Sequence, residues 1–189
     1  MDYMNFVRSL RSGLLLIACC IAMPASGDDI YFSVEGATQG KIVGEVVAKN
    51  LEGKMRALGF GTKIEYPRDP ASGQISGARI HTLVQVTREP GRGSPQLMHA
   101  LVNNEPLKEV RFDFYGPRLI NGVKQMALYQ SIRLTNAYLS EFERTAEPAT
   151  DLSSGAVRSL ERLEFIYQKI ELIDHERSVS AQATWGQAF

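Results

Sequence analysis

Between Leu107 and Gly116 the chain reads LKEVRFDFYG, with Val110, Phe112 and Phe114 alternating with Arg111, Asp113 and Tyr115. A period of two places the first set on one side of an extended backbone and the second on the other. The segment is therefore a predicted strand, with one face on a core and one toward solvent. One-sided alternation of this kind belongs to antiparallel sheets, and a strand buries its apolar face only against neighbours. The rest of the chain has to supply them.

It does so repeatedly. DIYFSVEG (Asp29 to Gly36) is a short strand ended by glycine, followed by Gly40 and Gly44. KMRALGFGTKIEYP (Lys54 to Pro67) predicts a second strand region, where Gly59 and Gly61 suggest a bulge, strong bending or a close backbone approach. ARIHTLVQVT (Ala78 to Thr87) predicts one strand, with Ile80, Thr82, Val84 and Val86 sharing a face and His81, Leu83 and Gln85 opposite. Asn121–Gly122 is a hairpin turn signal. Two alternating runs follow it: Met126, Leu128, Gln130, Ile132 and Leu134, then Tyr138, Ser140 and Phe142 with Leu139, Glu141 and Glu143 opposite. Ala146 to Ala156 reads as a loop. Leu160 to Ile173 carries Leu163, Phe165 and Tyr167, then changes phase to Ile170 and Leu172, which suggests a bulge. Ser178 to Gly186 is a last short strand.

One segment breaks the period. In REPGRGSPQLMHALVNNEP (Arg88 to Pro106), Ser94 is a candidate N-cap and Pro95 suits the first helical position. Leu97, Met98, Leu101 and Val102 form the expected apolar stripe. Asn103 and Asn104 can adopt the left-handed conformation that ends a helix, and Pro106 prevents its resumption. The other face offers Gln96, His99 and Asn103, polar but uncharged, which hints at contact with a neighbouring molecule. About eight strands and one short helix give a mainly β fold: a small antiparallel β-barrel or two-sheet fold with one short α-helix.

The N-terminus stands apart. Arg8 and Arg11 precede the apolar run Gly13 to Ala25, and Ala25 to Gly27 supplies small residues for cleavage. This is the pattern of a secretory signal peptide, too short to span a bilayer. The expected division is a signal segment 1–27 and one barrel domain 28–189. Two other readings stay open: a lipidated Cys19, which would tether the chain to a membrane, and translation from Met23. Both cysteines, Cys19 and Cys20, fall in the removed segment, so the remainder holds together by packing alone.

Chemistry is sparse. The 21 Lys+Arg balance the 21 Asp+Glu, so no basic surplus points to nucleic acid or anionic membrane. His81, His99 and His175 are far apart and form no metal-ligand spacing. No G-x-S-x-G elbow occurs. GFGTKI lacks the third glycine of a dinucleotide loop, and GRGS, with Arg92, reads as a flexible entry to the helix. No enzyme activity, cofactor or metal is expected.

Taken in order, DIYFSVEGATQGKIVGE, YPRDPASGQISGARIHTLVQVTRE, GSPQLMHALVNNEPLKEVRFDFY and LERLEFIYQKIEL, with Trp185 near the end, resemble the Hcp family of bacterial type VI secretion. The resemblance spans Asp29 to Gly186. It implies a small barrel that forms hexameric rings stacked into a tube, wrapped by a contractile sheath, tipped by a VgrG-type spike protein and able to carry small effectors. In that family the extended loop, here Pro67 to Gly77, reaches the next ring. Arg68, Asp69 and Gln74 on the loop and Gln96 and His99 on the helix are the expected assembly residues. A tube protein assembles in the cytoplasm, so a signal peptide departs from the family pattern. An exported binding barrel with a separate role, or an enzyme built on the same barrel, stays open.

Overall fold

A computed structural model describes residues 27–148 and 157–186. The signal segment, with Cys19, Cys20 and Met23, lies outside them, as does most of the loop expected after Ala146. The elements in chain order are β1 (Asp29–Gly36), β2 (Gly40–Ile42), β3 (Met55–Ala57), β4 (Gly59–Gly61), β5 (Ile64–Glu65), β6 (Ile80–His81), β7 (Val84–Arg88), α1 (Ser94–Val102), β8 (Leu107–Ile120), β9 (Val123–Pro148), β10 (Val157–Asp174) and β11 (Val179–Thr184).

The main sheet runs β2-β1-β8-β9-β10-β7-β4, with β3 also on β1 and β11 also on β10. Its pairings are antiparallel, as one-sided alternation requires. β3 and β4 are two halves of one segment. The first pairs with β1 and the second with β7, and at the bend between them the Leu58 N–H donates to the Thr87 carbonyl at 2.7 Å. That segment closes the sheet into a barrel, one of the two folds that the sequence leaves open. The bend beside Gly59 is the strong bending that its glycines suggest, and the strand region read over Lys54 to Pro67 is three short pieces.

The barrel interior is packed with aromatic rings. Phe112 lies 5.5 Å from Phe32, 4.9 Å from Phe60 and 6.2 Å from Phe165 between ring centres. Val110, Phe112 and Phe114 point inward as their alternation dictates. Three adjacent strands then change phase together. Leu107, Ala137 and Tyr167 form one inward row, and Val110, Leu134 and Ile170 the next, three residues along each strand. Asn136, with φ 50°, sits between the rows. The phase shift at Tyr167–Ile170 is therefore real, but it is one bend shared by β8, β9 and β10 with register kept.

Other faces differ from the sequence reading. Leu139 is buried while Tyr138 is only partly so, because Ser140 is an extra residue between Leu139↔Phe165 and Glu141↔Glu164. The segment Ala78 to Thr87 is not one strand. Thr82 breaks it by exchanging hydrogen bonds with Lys63: its N–H and hydroxyl donate to the Lys63 carbonyl, and the Lys63 N–H donates to its hydroxyl oxygen. The phase changes there, so His81, Val84 and Val86 are buried and Ile80 is exposed.

The helix begins and ends where the sequence places it, but it docks on a different stripe. Against β9 it buries Ser94, Leu97 and Ala100, with Leu101 half-buried. Met98 and Val102 lie further round the helix and are exposed. Ser94 is the first helical residue rather than the cap. Gly93 holds the cap position, and the Ser94 hydroxyl turns inward to donate to Glu161 at 2.9 Å. Asn104, with φ 47°, takes the left-handed position after the helix.

Candidate assembly surface

The arm from Pro67 to Gly77 folds back on itself. Arg68 and Ile75 form a β-bridge, the Asp69 N–H donates to the Gln74 carbonyl, and the Ser76 N–H donates to the Pro67 carbonyl. Asp69 organises the turn. One of its carboxylate oxygens accepts from the Ser72 N–H at 2.7 Å, the Ser72 hydroxyl at 2.9 Å and the Ala71 N–H at 2.9 Å. These donors hold its carboxyl below the usual range. The Arg68 guanidinium donates to the Gly73 carbonyl. Two of the three expected loop residues thus also shape the arm from within. Gln74 contributes its carbonyl to the arm, and the residue is exposed. Ile75 on the arm and Ile64 and Ile80 at its base are exposed as well.

The arm's base leads to an aromatic cluster. The His81 ring packs 5.8 Å from Tyr167 and 5.3 Å from Trp185. Arg79 Nε–H donates to His81 Nε2 at 3.0 Å, which leaves Nδ1 to carry the proton of the neutral ring toward Tyr167. Burial and the adjacent Arg79 cation both push the His81 pKa down.

The helix occupies a separate place, against β9. His99 is exposed, and Gln96 is half-buried with its carbonyl accepting from the Gln39 side chain at 3.2 Å. The free face is less polar than expected, because Met98 and Val102 share it with His99. Just beyond the helix, buried Glu105 accepts from Thr38 N–H, Gln39 N–H and Gln39 Nε2 at 2.7–2.8 Å. Burial alone would raise its carboxyl, but these donors and nearby His99 hold it below the usual range. The same carboxylate fills the space beside Gly36, where an added Cβ would lie 2.4 Å from its oxygen.

Two buried polar groups escaped the sequence reading. Beneath the helix start, Arg88 and Glu161 are both fully buried, 3.3 Å apart. On the outward side of β8, Asp113 accepts from Lys54 at 2.6 Å, Arg111 at 2.8 Å and the Ser131 hydroxyl at 2.5 Å. His175 Nε2 stands 2.8 Å from Ser131 Oγ. A serine beside a histidine invites comparison with a hydrolase, but the wiring differs. The acid takes the serine proton instead of orienting the histidine, and Ser131 is fully buried. The group is a clip joining β8, β9, the Lys54 loop and the turn after β10. Among the described residues no three His, Cys, Asp or Glu side chains converge as metal ligands.

The two outer hairpins were legible only as turns. β8 and β9 run on past their last barrel partners, Tyr115 with Asp29 and Gln130 with Asp174, to the turn at Asn121 and Gly122. Leu119, Ile120, Val123 and Met126 are exposed there. At the other end β9 and β10 pair as far as Pro148 and Val157.

Comparison with known proteins converges on one group. Residues 31–173 match the family described as "Type VI secretion system effector, Hcp". The Major exported protein of Pseudomonas aeruginosa is 28% identical over 164 residues, covering 82% of this chain and 94% of that protein. An Hcp protein crystal structure superposes with a TM-score of 0.73 at 22% identity, covering 86% of this chain and 100% of the other. An Hcp protein of E. coli (EAEC pathovar) gives 0.69 at 23% identity, covering 83% and 98%. A secreted Hcp protein of Pseudomonas aeruginosa gives 0.66 at 21%, covering 85% and 100%. At these identities the structural likeness establishes a shared fold.

Proposed function

This chain belongs to the Hcp family of type VI secretion effectors, and from that premise we propose that it is a structural tube protein, secreted as hexameric rings that stack into a tube. The observation that carries this reading is the extent of the match, which takes in the barrel, the arm, the helix and the β8–β9 hairpin. The arm supports it, since Asp69 keeps an eleven-residue projection folded in advance, with exposed Ile75 available to an adjoining ring. Arg68, Asp69 and Gln74 on the arm and Gln96 and His99 on the helix are the proposed contact regions. The sheath, a VgrG-type spike and small effectors are the proposed partners. No catalytic role is assigned. A barrel built to hold a ligand needs interior space, whereas here Phe32, Phe60, Phe112 and Phe165 occupy the centre.

A working signal peptide would set this member apart from the family pattern. Cleavage after Gly27 would deliver the chain by a general route, whereas translation from Met23 would leave it in the cytoplasm, where a tube assembles. One experiment separates the two routes: measure the protein in culture medium, with its N-terminus, before and after the contractile sheath gene is disrupted. A tube protein disappears from the medium. Release that persists, with Asp28 as the N-terminus, contradicts the tube reading and favours an exported barrel with a separate role.

A further inference from the structure

The β8–β9 hairpin beyond Tyr115 and Gln130 has no strand on either edge among the described residues. A two-stranded ribbon is marginal in water by itself. This one also leaves Leu119 78% and Val123 57% exposed at its tip. Lys124 lies directly across from Leu119 and has no acidic partner among the described residues. Arg118, lower on the ribbon, is already engaged by Glu176 and stacks 4.2 Å from the Tyr129 ring centre. The tip is therefore an apolar knob with one cation that is free of an acidic partner among the described residues.

Elsewhere on the same chain is a cleft of about 410 Å³ between the loop after β2 and the end of β7. Val46, Val47, Leu58 and Pro90 line it, Val47 being 85% exposed. Its charged members are Glu45, Glu89 and Arg56, a net negative set. Arg56 is drawn away to Asp29 at 2.9 Å, Glu45 meets buried Arg88 at 3.5 Å, and among the described residues the Glu89 carboxylate meets only half-exposed Arg158, at 3.7 Å. The loop that forms the cleft is held by paired backbone hydrogen bonds, Val46 N–H to Lys54 O and Gly53 N–H to Val46 O. The cleft beside Trp185, lined by Tyr138, Ile166 and Tyr167, carries no carboxylate to receive Lys124.

We infer that the β8–β9 hairpin tip of one copy seats in the Val47–Leu58 cleft of the next, with Leu119 in the apolar floor and Lys124 against Glu89. A knob and a cleft at different places on one chain make a heterologous contact, the kind that a ring or a stack repeats. The inference rests on the tube reading and names the surfaces that reading leaves open.

The test uses the full chain carrying Cys19→Ser and Cys20→Ser. One batch adds Leu119→Cys and a second adds Val47→Cys, so that a disulfide between these two positions has to join different molecules. Mixed, dissociated, reassembled and oxidised, they are expected to yield a covalent dimer whose linked peptides contain positions 47 and 119. Lys124→Glu is expected to raise the concentration at which the assembly dissociates about tenfold, and adding Glu89→Lys to restore it. Unchanged thermal melting shows that each variant folds. Rings that form without the 47–119 linkage overturn the inference and leave the tube reading standing. A wild-type chain that stays monomeric at all concentrations overturns both.

Discussion

Asp113 shows how much one side chain on the polar side of an alternating strand can carry. Burial pushes its carboxyl up, but hydrogen bonds from Lys54, Ser131 and Arg111 outweigh that and hold it below the usual range. A folded-state pKa below the unfolded one means that the stabilisation is fully present above the ordinary value of 3.8 and is lost as the pH falls through the lower folded value. Asp113→Asn keeps the shape and removes the charge. It leaves Lys54 and Arg111 without their shared counterion, both still partly in contact with water. The expected loss is about 2 kcal/mol at neutral pH, less than the roughly 3–5 kcal/mol of a fully buried broken pair. The melting temperature of the variant should also fall less steeply than that of the wild type below pH 4. Equal acid sensitivity in the two proteins would show that the clip does not carry this stability. Alternation identified Asp113 as outward-facing but could not show its burial, because the Lys54 loop and the His175 turn that surround it come from distant parts of the chain.

At the scale of elements, arm and helix should separate in one set of measurements. Deleting Asp69 to Gly73 removes the turn that Asp69 caps and leaves Thr82 holding Lys63, so the barrel should melt within about 1 kcal/mol of the wild type. Rings should persist and stacking should stop. Gln96→Glu with His99→Glu adds charge to the free helix face, and rings themselves should weaken while β-type circular dichroism is kept. Stacked tubes from the deletion variant, or intact rings from the charged helix at low concentration, would reject the corresponding contact. Boundaries at this scale were largely legible: β1, the helix and the Asn121–Gly122 turn lie where periodicity, Pro95 and the asparagines place them. The helix stripe was not. The sequence rule selects large side chains, while α1 docks through Ser94, Leu97 and the small Ala100, leaving Met98 and Val102 outside. The bend at Leu58 was signalled by Gly59 and Gly61, but the break at Thr82 was hidden, since it is set by a hydrogen bond to the distant Lys63 carbonyl.

For the whole molecule, balanced charge and a core of phenylalanines describe a barrel that is complete in itself. Each part that extends beyond the barrel or lies on its outside exposes large apolar side chains: the arm Ile75, the hairpin Leu119 and Val123, and the helix face Met98 and Val102. Large side chains left in water on these three parts suit a molecule whose final environment includes copies of itself. The sequence disclosed the antiparallel strands because alternation is a local property, but it left barrel and two-sheet fold both open, since closure depends on the β3 and β4 pairings at the two ends of the sheet. It gave no view of the cleft near Val47, which exists only once the loop after β2 and the end of β7 meet. The central claim is that this barrel assembles as a ring, and native mass spectrometry of the protein purified from its own cells tests it most directly. The expected spectrum is dominated by a hexameric mass, with multiples of it where rings stack. A spectrum containing only the mass of a single chain at every concentration measured would contradict the claim.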